Sequence, residues 1–325
     1  MRIVFMGTPA LAANTLEAVA ADHEIALVAT QPDRPAGRSH KLQPPPVKEW
    51  AIEHGIAVAQ PERARDAEFV ARVEEARPEA IVVVAFGQIL PQQILDMPRL
   101  FFEHGTCVNL HYSLLPRWRG AAPVQRAIEH GDHVTGVSTQ HMAAKLDAGD
   151  LILSEQIEIG EEEIAGELFE RLIPLGTKVL LETLRLVEKG EASRVPQNES
   201  QATIAPSIKA EETKLDWQEP AAYLAHKIHA FNPRPGMVAT FRDKPMKVWR
   251  ARPVKSTFKG SAGEIYIEDN RVFVKTWNLP HDTSKVDSGE ALELIEVQPA
   301  GKGRMKASDW ARGVRLEVGE TLGQD

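Results

Sequence analysis

Apolar and polar positions follow two alternating periods in the first half of the chain. Short runs rich in β-branched residues predict strands, and the amphipathic stretches between them predict helices. Alternation of this kind favours an α/β fold, a Rossmann-like and mostly parallel sheet with helices on both faces. The predicted strands are Ile3–Phe5, Ile25–Ala29, Ala80–Ala85, Cys107–Leu110, Gly136–Met142 and Leu151–Ile157, and the predicted helices are Ala10–Ala21, Val47–His54, Asp66–Ala76 and Ala121–Glu129.

Two segments refine this prediction. Ala80–Ala85 has no polar alternation, which is typical of a central strand buried on both faces. Glu163–Lys189 keeps a helical apolar period over its whole length. Because proline disturbs a helix interior, we expect Pro174 to kink or divide this helix.

The pattern changes after residue 195. Residues 196–206 lose any period and predict a linker, and a short helix is predicted at Ala221–Phe231. Closely spaced short strands then predict a small OB-like β-barrel. We therefore expect a catalytic domain at 1–195, a linker at 196–206 and a second domain at 207–325. The strands predicted in the second domain are Met237–Phe241, Met246–Ala251, Glu264–Ile267, Val272–Thr276, Ala291–Val297 and Arg315–Leu316.

Composition narrows the class of protein. The chain has 325 residues, 43% hydrophobic and 26% charged, with no stretch of eighteen apolar residues that predicts a membrane span. A single cysteine, Cys107, fits a reducing cytoplasm. The net charge of −8 is uneven, since residues 1–205 carry 19 Lys and Arg against 29 Asp and Glu, whereas residues 206–325 carry 19 against 17. Solvated surface explains this asymmetry better than an anionic partner does, on charge alone.

A dinucleotide site is the first functional hypothesis for such a fold, and the first turn argues against it. Gly7-Thr8-Pro9-Ala10 follows the first predicted strand, where dinucleotide-binding proteins carry G-x-G-x-x-G. We interpret Gly7 as the tight turn that leaves this strand.

The stretch from Cys107 to Pro123 carries an unusual polar pair. Cys107, Asn109 and His111 share one strand face, and Asn109 lies about 6.6 Å from His111, a spacing that admits a small carbonyl group. Cys107 lies too far from His111 for a thiolate–imidazole pair and is interpreted as packing. A metal site from His104, His111 and His141 has no supporting motif. On this pattern alone, a strand-capping amide and a hydrogen-bonded core histidine explain the pair slightly better than chemistry does.

Two aspartates follow the predicted strand Gly136–Met142. Asp147 and Asp150 flank a turn between two apolar runs. A turn carboxylate is usually solvated, but one that folds over His111 can orient the imidazole and favour its protonated form. Amide, imidazole and carboxylate together suit acyl-type transfer without a protein nucleophile, because the amide and imidazolium bind an oxyanion while the carboxylate and water move protons.

These residues resemble the 10-formyltetrahydrofolate-dependent formyltransferases. The resemblance is carried by Asn109-x-His111-x-Ser113-Leu114-Leu115-Pro116-x-x-x-Gly120 and by Leu146-Asp147-x-Gly149-Asp150. It implies that Asn109, His111 and Asp147 are catalytic and that 10-formyltetrahydrofolate is the formyl donor, with no metal. It also implies that the folate is bound by Ser113, Leu114, Leu115 and Pro116 and by Phe86, Gly87, Gln88, Ile89 and Leu90.

Further segments are similar to the branch of that family that acts on methionyl-tRNA. Among them are Arg117–Ile128, Thr30–Arg38 and Ala230–Pro235. The resemblance implies that the basic loop Gln31–Lys48 enters the acceptor-stem groove of initiator tRNA through Arg34, Arg38 and Lys41, that residues 207–325 also bind tRNA, and that the enzyme is a monomer. The sequence departs from the family pattern at Tyr112, Lys145, Phe101–Gly105, Asn278–Asp287 and the polar run Ser138–His141.

Two alternatives share part of this pattern. A formyltransferase for amino-sugar nucleotides or other small amines would have the same three catalytic residues, but it would not need a basic loop or an RNA-binding domain. A catalytically silent tRNA-binding module on a folate-binding fold would not need the intact Asn, His and Asp set.

Overall fold

The chain folds into two compact units. The computed structural model describes residues 1–36, 41–276, 289–317 and 319–323. The first unit comprises Met1–Pro123, Thr135–Ile157 and Glu170–Pro206, and the second comprises Val124–Val134, Glu158–Phe169 and Ser207–Asp325. Pro206 thus ends both the first unit and the predicted linker, while two N-terminal segments belong to the second unit. The predicted domain ranges 1–195, 196–206 and 207–325 stay a prediction.

Parallel pairing dominates the main sheet of the first half of the chain. The described strands of residues 1–206, which form the main sheet and two small sheets, are β1 (Arg2–Gly7), β2 (Glu24–Ala29), β3 (Arg34–Ala36), β4 (Lys41–Gln43), β5 (Val58–Ala59), β6 (Ala80–Val84), β7 (Thr106–His111), β8 (Arg119–Gly120), β9 (Val134–His141), β10 (Leu151–Glu158) and β11 (Ile204–Ala205). Within the described residues, the main sheet has the order β10-β9-β7-β6-β1-β2-β5. Its pairings from β5 to β7 are parallel and β9 runs antiparallel to β7, so the predicted mostly parallel sheet is confirmed.

Helices alternate with the strands along this part of the chain, as the sequence pattern predicts. They are α1 (Ala10–Asp22), α2 (Pro46–Glu53), α3 (Ala67–Glu75), α4 (Gln92–Asp96), α5 (Pro123–Glu129) and α6 (Ala165–Lys189). The chain fills one side of the sheet through β1, β2 and β5, then returns to the other side of β1 for β6 and β7. In α/β sheets of this kind, ligands bind outside the carboxyl ends of the strands at that reversal.

Apolar side chains on the strands build the core. Every residue of β6 is buried, which confirms the central-strand interpretation for Ala80–Val84, whereas Ala85 is exposed and lies beyond the strand. One cluster packs against the sheet and contains Val4, Met6, Ile81, Val83, Phe86, Leu90, Ile94 and Cys107, among others. Gly7 ends β1 where a Cβ would lie 2.8 Å from that of Ala12 and 2.9 Å from the Val84 carbonyl oxygen. Close packing, and not a turn, therefore explains this glycine.

The second unit is built on an antiparallel sheet. Its elements are α7 (Ala221–Ala230), β12 (Met237–Phe241), β13 (Lys244–Lys255), β14 (Ile265–Glu268), β15 (Arg271–Lys275), β16 (Glu290–Pro299), β17 (Met305–Lys306) and α8 (Ala307–Val314). The strands have the order β12-β13-β16-β15-β14, and β17 pairs with β16. The end strands do not pair with each other, but the C-terminal segment bridges Thr240 of β12 and Glu264 beside β14. This arrangement is consistent with an OB-like barrel.

Two local predictions differ from the structure, one of them only in part. Helix α6 runs unbroken through Pro174, so the proline does not divide it, while the expected kink stays a prediction. An amphipathic helix that buries one face gains enough from packing to tolerate one lost backbone hydrogen bond. Arg315–Leu316 is not a strand: Arg315 is the left-handed residue that ends α8, with φ of 51°. Helix α8 has a buried face that includes Trp310 and Ala311. Its many polar residues obscure the apolar period in the sequence, so the pattern does not predict a helix there.

Candidate active site

Strand β7 carries Asn109 and His111 to the carboxyl edge of the sheet. Both residues are buried, at 7% and 6% exposure. The Nε2 atom of His111 lies 2.8 Å from the carbonyl oxygen of Trp118. A carbonyl only accepts, so Nε2 carries the proton and donates it there. The other ring nitrogen, Nδ1, faces the Asp147 carboxylate, with Oδ2 at 3.7 Å. His111 is therefore oriented by a backbone carbonyl on one side and faces a carboxylate on the other.

Hydrogen-bond donors surround the Asp147 carboxylate. Gly120 donates its backbone N–H to Oδ2 at 2.8 Å. Asn109 Nδ2 lies 3.4 Å from Oδ1 and Gln140 Nε2 lies 3.3 Å from it. Asp147 itself has φ of 46°, in the left-handed region that few residues other than glycine adopt, although Asp tolerates it better than most. The structure thus brings together the three residues that the sequence singled out.

The turn from Ser113 to Gly120 forms a second wall of the site. The Ser138 hydroxyl donates to the Ser113 carbonyl at 2.8 Å and accepts from the Leu115 N–H at 3.1 Å. Ser113 Oγ donates to the Arg117 carbonyl at 2.6 Å. The turn is therefore fixed by side-chain hydroxyls from β9 and from within itself, before any ligand arrives.

The predicted linker also holds this turn. Thr203 accepts the Trp118 N–H at its hydroxyl and the Arg119 N–H at its carbonyl, both at 2.9 Å. Strand β11 pairs in parallel with β8, which places Ala205 opposite Gly120. Gly120 has φ of 122°, and a Cβ there would lie 2.7 Å from the Ala205 carbonyl oxygen. Residues 197–205 are thus part of the site's framework.

Gln140 is a residue that the sequence reasoning did not assign. It is almost fully buried, and its Oε1 accepts the Gly149 N–H at 3.0 Å while its Nε2 faces Asp147. The signal was present in the sequence, because Ser138–His141 is a polar run on a strand between apolar neighbours. Buried polar side chains need partners, so such a run marks a hydrogen-bonded site.

The loop after β6 contains the other predicted folate residues. Phe86 and Leu90 are buried in the core, while Ile89 is 79% exposed. The Phe86 carbonyl accepts from Gln31 Nε2 at 3.0 Å and from the Thr8 hydroxyl at 3.2 Å. Gln88 is held by the Ala64 N–H at 2.6 Å and the Pro61 carbonyl at 2.9 Å. Gly87 has φ of 82°. Core packing and hydrogen bonds therefore fix the shape of this loop, which leaves Ile89 exposed.

The structure also bears on Cys107 and on the metal site considered for His104, His111 and His141. Cys107 is 2% exposed in the apolar cluster, and burial raises the pKa of its thiol, so its interpretation as packing is confirmed. His141 contacts the Thr106 hydroxyl and the Ser193 carbonyl, and burial lowers its pKa. In the part of the chain that the structure describes, no group of three or more His, Cys, Asp or Glu side chains is arranged to hold a metal.

Apart from Ser138–His141, the departures from the family pattern lie in different parts of the chain. Tyr112 is buried beside Thr15 and Gly176, toward α1 and α6, and burial raises its pKa to about 12. Lys145 pairs with Glu199 at 2.6 Å. Phe101–Gly105 is a turn in which the rings of Phe102 and His104 meet edge to face. Asn278–Asp287 lies outside the described residues.

Two of the three predicted tRNA-binding residues, Arg34 and Lys41, belong to the strands of a short hairpin, β3 and β4. Arg34 is exposed and lies 3.3 Å from Glu62, a surface ion pair that contributes little to stability. Lys41 begins β4. Arg38 lies outside the described residues. The same loop neutralises part of its own charge, since Lys48 pairs with Asp33 at 2.7 Å and thereby lowers the pKa of that carboxyl.

Comparison with known families assigns both parts of the chain. Residues 1–184 match the formyl transferase family, and residues 207–315 match the formyl transferase C-terminal domain. The chain belongs to the formyl transferase family. The Asn109, His111 and Asp147 cluster lies inside the matched N-terminal region of this family member.

Relatives of this formyl transferase family member match it from end to end. A methionyl-tRNA formyltransferase of Moorella thermoacetica is 44% identical over 99% of both chains, and one of Solibacter usitatus is 42% identical over 100% of this chain and 99% of the other. Two solved structures share the fold at lower identity. One is WlaRD, a sugar 3N-formyl transferase (TM-score 0.62, 14% identity, 93% of this chain and 99% of that one), and the other is HypX from Aquifex aeolicus with tetrahydrofolic acid (0.61, 17%, 98% and 48%).

The backbone at Gly120 gives a direct test of the site's framework. We expect Gly120→Ala to lose about 1–3 kcal/mol of stability, because φ of 122° strains any residue with a Cβ. The clash with the Ala205 carbonyl should also displace the N–H that holds Asp147, so formyl-transfer turnover should fall. Gly303→Ala is the matched control, since nothing lies within 4 Å of a Cβ there. Equal stability and turnover in the two variants, by thermal unfolding and steady-state assay, would contradict this role of Gly120.

Proposed function

We propose that this chain transfers a formyl group from 10-formyltetrahydrofolate to the α-amino group of methionyl initiator tRNA, which gives formylmethionyl-tRNA for translation initiation. The observation that carries the proposal is the full-length identity of 44% and 42% to methionyl-tRNA formyltransferases. The likeness to the sugar formyltransferase rests on 14% identity and bears on the fold. The tRNA substrate is thus favoured over an amino sugar by both domains of the chain.

The proposed chemistry is an addition followed by an elimination. The lone pair of the α-amine, whose free reference pKa is ~8, forms a bond to the formyl carbon, and the carbonyl electron pair moves onto oxygen. Collapse of that oxyanion restores the C=O bond and breaks the bond from carbon to N10 of the folate. The amine gives up a proton and N10 takes one up. The folate therefore exchanges its formyl group for hydrogen.

Each of the three clustered residues has a separate proposed role. Asn109 Nδ2 donates to the oxyanion and the positive charge of a protonated His111 stabilises it, because preorganised charges and donors act most strongly in the transition state. Because His111 Nε2 is engaged by the Trp118 carbonyl, the second proton of an imidazolium lies on Nδ1, on the side of Asp147. Asp147 stabilises that imidazolium and assists proton transfer through water. None of these steps uses a protein nucleophile, so Cys107 has no role in them.

Substrate binding divides between the parts of the chain. We assign the folate to the Ser113–Pro116 turn and to the Phe86–Leu90 loop, of which Ile89 is the exposed side chain. The tRNA is assigned to Arg34, Arg38 and Lys41 and to the domain at 207–325, whose charge of +2 suits a polyanion. Helices of the described residues do not reach the length and hydropathy of a membrane span. We further propose that the enzyme is a cytoplasmic monomer, since its aminoacyl-tRNA substrate belongs to translation.

A substrate comparison tests the function. With 10-formyltetrahydrofolate as donor, we expect rapid formylation of methionyl initiator tRNA and none of a nucleotide-linked amino sugar. Transfer to the sugar amine in place of the tRNA would establish the small-amine alternative. Binding of tRNA and folate with no transfer would establish a silent binding module. Mass spectrometry of the released amino acid or sugar measures all three outcomes directly.

The basic loop gives a second test. If Arg38 and Lys41 contact RNA phosphates, Arg38→Ala and Lys41→Ala should each weaken tRNA binding and reduce its salt dependence by a slope of ~1. Folate affinity should stay unchanged, because the folate turn is a separate element.

Arg185→Ala is the control for this loop, since Arg185 is exposed on α6 and pairs only weakly with Glu182 at 3.5 Å. Titrations of tRNA at several salt concentrations supply the slopes. Identical slopes in all four proteins would leave Gln31–Lys48 a plain connection and move the tRNA contacts to residues 207–325.

A further inference from the structure

One side chain of the predicted linker reaches the loop that carries Asp147. Gln197 Nε2 lies 2.9 Å from the Asp147 carbonyl oxygen and 2.7 Å from that of Gly149. On the opposite side, Gln197 Oε1 lies 2.7 Å from Arg119 Nη2 and 3.1 Å from its Nε. All of these residues belong to the first unit. A single amide therefore joins both loops of the site, the Asp147 loop and the turn that ends in Gly120.

The orientation of this amide is fixed by its neighbours. A guanidinium only donates, so the atom that faces Arg119 is the oxygen, and carbonyls only accept, so the atom that faces Asp147 and Gly149 is the nitrogen. Arg119 is 3% exposed and has Glu199 as its second partner, at 2.9 Å. Lys145 also contacts Glu199, and the two cations lower the pKa of this carboxyl to about 2. Glu199 therefore stays ionised and holds Arg119 against Gln197.

The Asp147 loop needs such support. Asp147 has φ of 46°, and a residue other than glycine stays in that region only when its surroundings over-determine it. Gln197 fixes the carbonyl of this residue and the carbonyl two residues later. The loop is also crowded at Gly149, where a Cβ would lie 1.6 Å from the His141 carbonyl oxygen. Without the amide, the side chain of Asp147 can leave the position in which Gly120, Asn109 and His111 meet it.

We propose that Gln197 is a positioning residue for formyl transfer, which acts through Asp147 by clamping the backbone carbonyls of Asp147 and Gly149. The proposal rests on the catalytic role of Asp147 proposed above. It assigns to the segment at 196–206 a share in the chemistry, in addition to its place in the chain between two domains. Gln197 does not touch the reacting atoms, so its effect should fall on the rate of the chemical step and leave substrate binding unchanged.

Two substitutions separate the parts of this clamp. Gln197→Ala removes the amide, whereas Gln197→Glu keeps an oxygen for Arg119 but sets a second oxygen against the Asp147 and Gly149 carbonyls. We expect both variants to lower kcat by ~10- to 100-fold, because small misplacements of catalytic groups cost that much. KM for both substrates should stay within ~2-fold, since only transition-state interactions are lost. Gln93→Ala, at an exposed glutamine of α4 outside both loops that the amide joins, should match the wild type.

A double-mutant cycle distinguishes positioning from a general structural role. Combined with Asp147→Asn, Gln197→Ala should cause no further loss of kcat, because a residue that acts through Asp147 has nothing left to position. Losses that multiply would overturn the proposal, as would a normal kcat in Gln197→Glu. Thermal unfolding of each variant identifies any that fail to fold, and Gln197→Glu then stands in for Gln197→Ala.

The same measurements separate this proposal from the proposed function. A wild-type protein that does not formylate methionyl-tRNA contradicts the function itself. An active wild type with a fully active Asp147→Asn variant contradicts the catalytic assignment. An active wild type with an impaired Asp147→Asn variant and a normal Gln197→Ala variant contradicts the positioning role alone.

Discussion

The Asp147 carboxylate and the donors around it are the constraint on which the site depends. A backbone N–H from Gly120 holds one oxygen, the amides of Asn109 and Gln140 face the other, and His111 Nδ1 lies 3.7 Å away. A largely desolvated carboxylate such as that of Asp147, whose side chain is 13% exposed, needs partners of this kind, because loss of hydration without compensating contacts is unfavourable. The donors come from β7, β8 and β9. Those strands must therefore keep their register for the three residues to meet.

The surrounding framework explains why the register is kept. The Ser113–Gly120 turn hydrogen-bonds to Ser138 of β9 and to Thr203, and β8 pairs with β11. These contacts cross long stretches of sequence, so the site is completed only when residues 197–205 dock beside the turn. A segment that the pattern predicts to be a linker thus has a structural role in the first unit.

Sequence reasoning reached the fold and the three clustered residues for identifiable reasons. Local sequence patterns were sufficient for these parts of the molecule. Ala80–Val84 is uniformly buried, and Asn109 and His111 lie on one strand, as those patterns predict. The rest depended on contacts between distant segments. The polar run at Ser138–His141 indicated a hydrogen-bonded site, but the run alone did not identify its partner Asp147, which lies beyond a turn. The aperiodic segment at 196–206 gave no indication of its contacts. Pro174 does not divide α6, and α8 forms where no helix was predicted, because packing of a buried face stabilises a helix despite a proline or a polar surface.

The net charge differs between the two parts of the chain. Residues 1–205 carry a net charge of −10 and residues 206–325 carry +2. Under the proposed function, the loop Gln31–Lys48, with its charge of +3, offsets the repulsion between a polyanionic substrate and the first part of the chain.

The central claim is that the Asp147 carboxylate, in this cluster, supports transfer. Single-turnover formyl transfer by Asp147→Asn as a function of pH tests it most directly, with folate affinity measured in parallel. An amide neither stabilises an imidazolium nor accepts a proton, so the account predicts a rate lower by ~10²-fold or more, an altered pH–rate profile and unchanged folate binding. A near-normal rate with the wild-type pH profile would contradict the account.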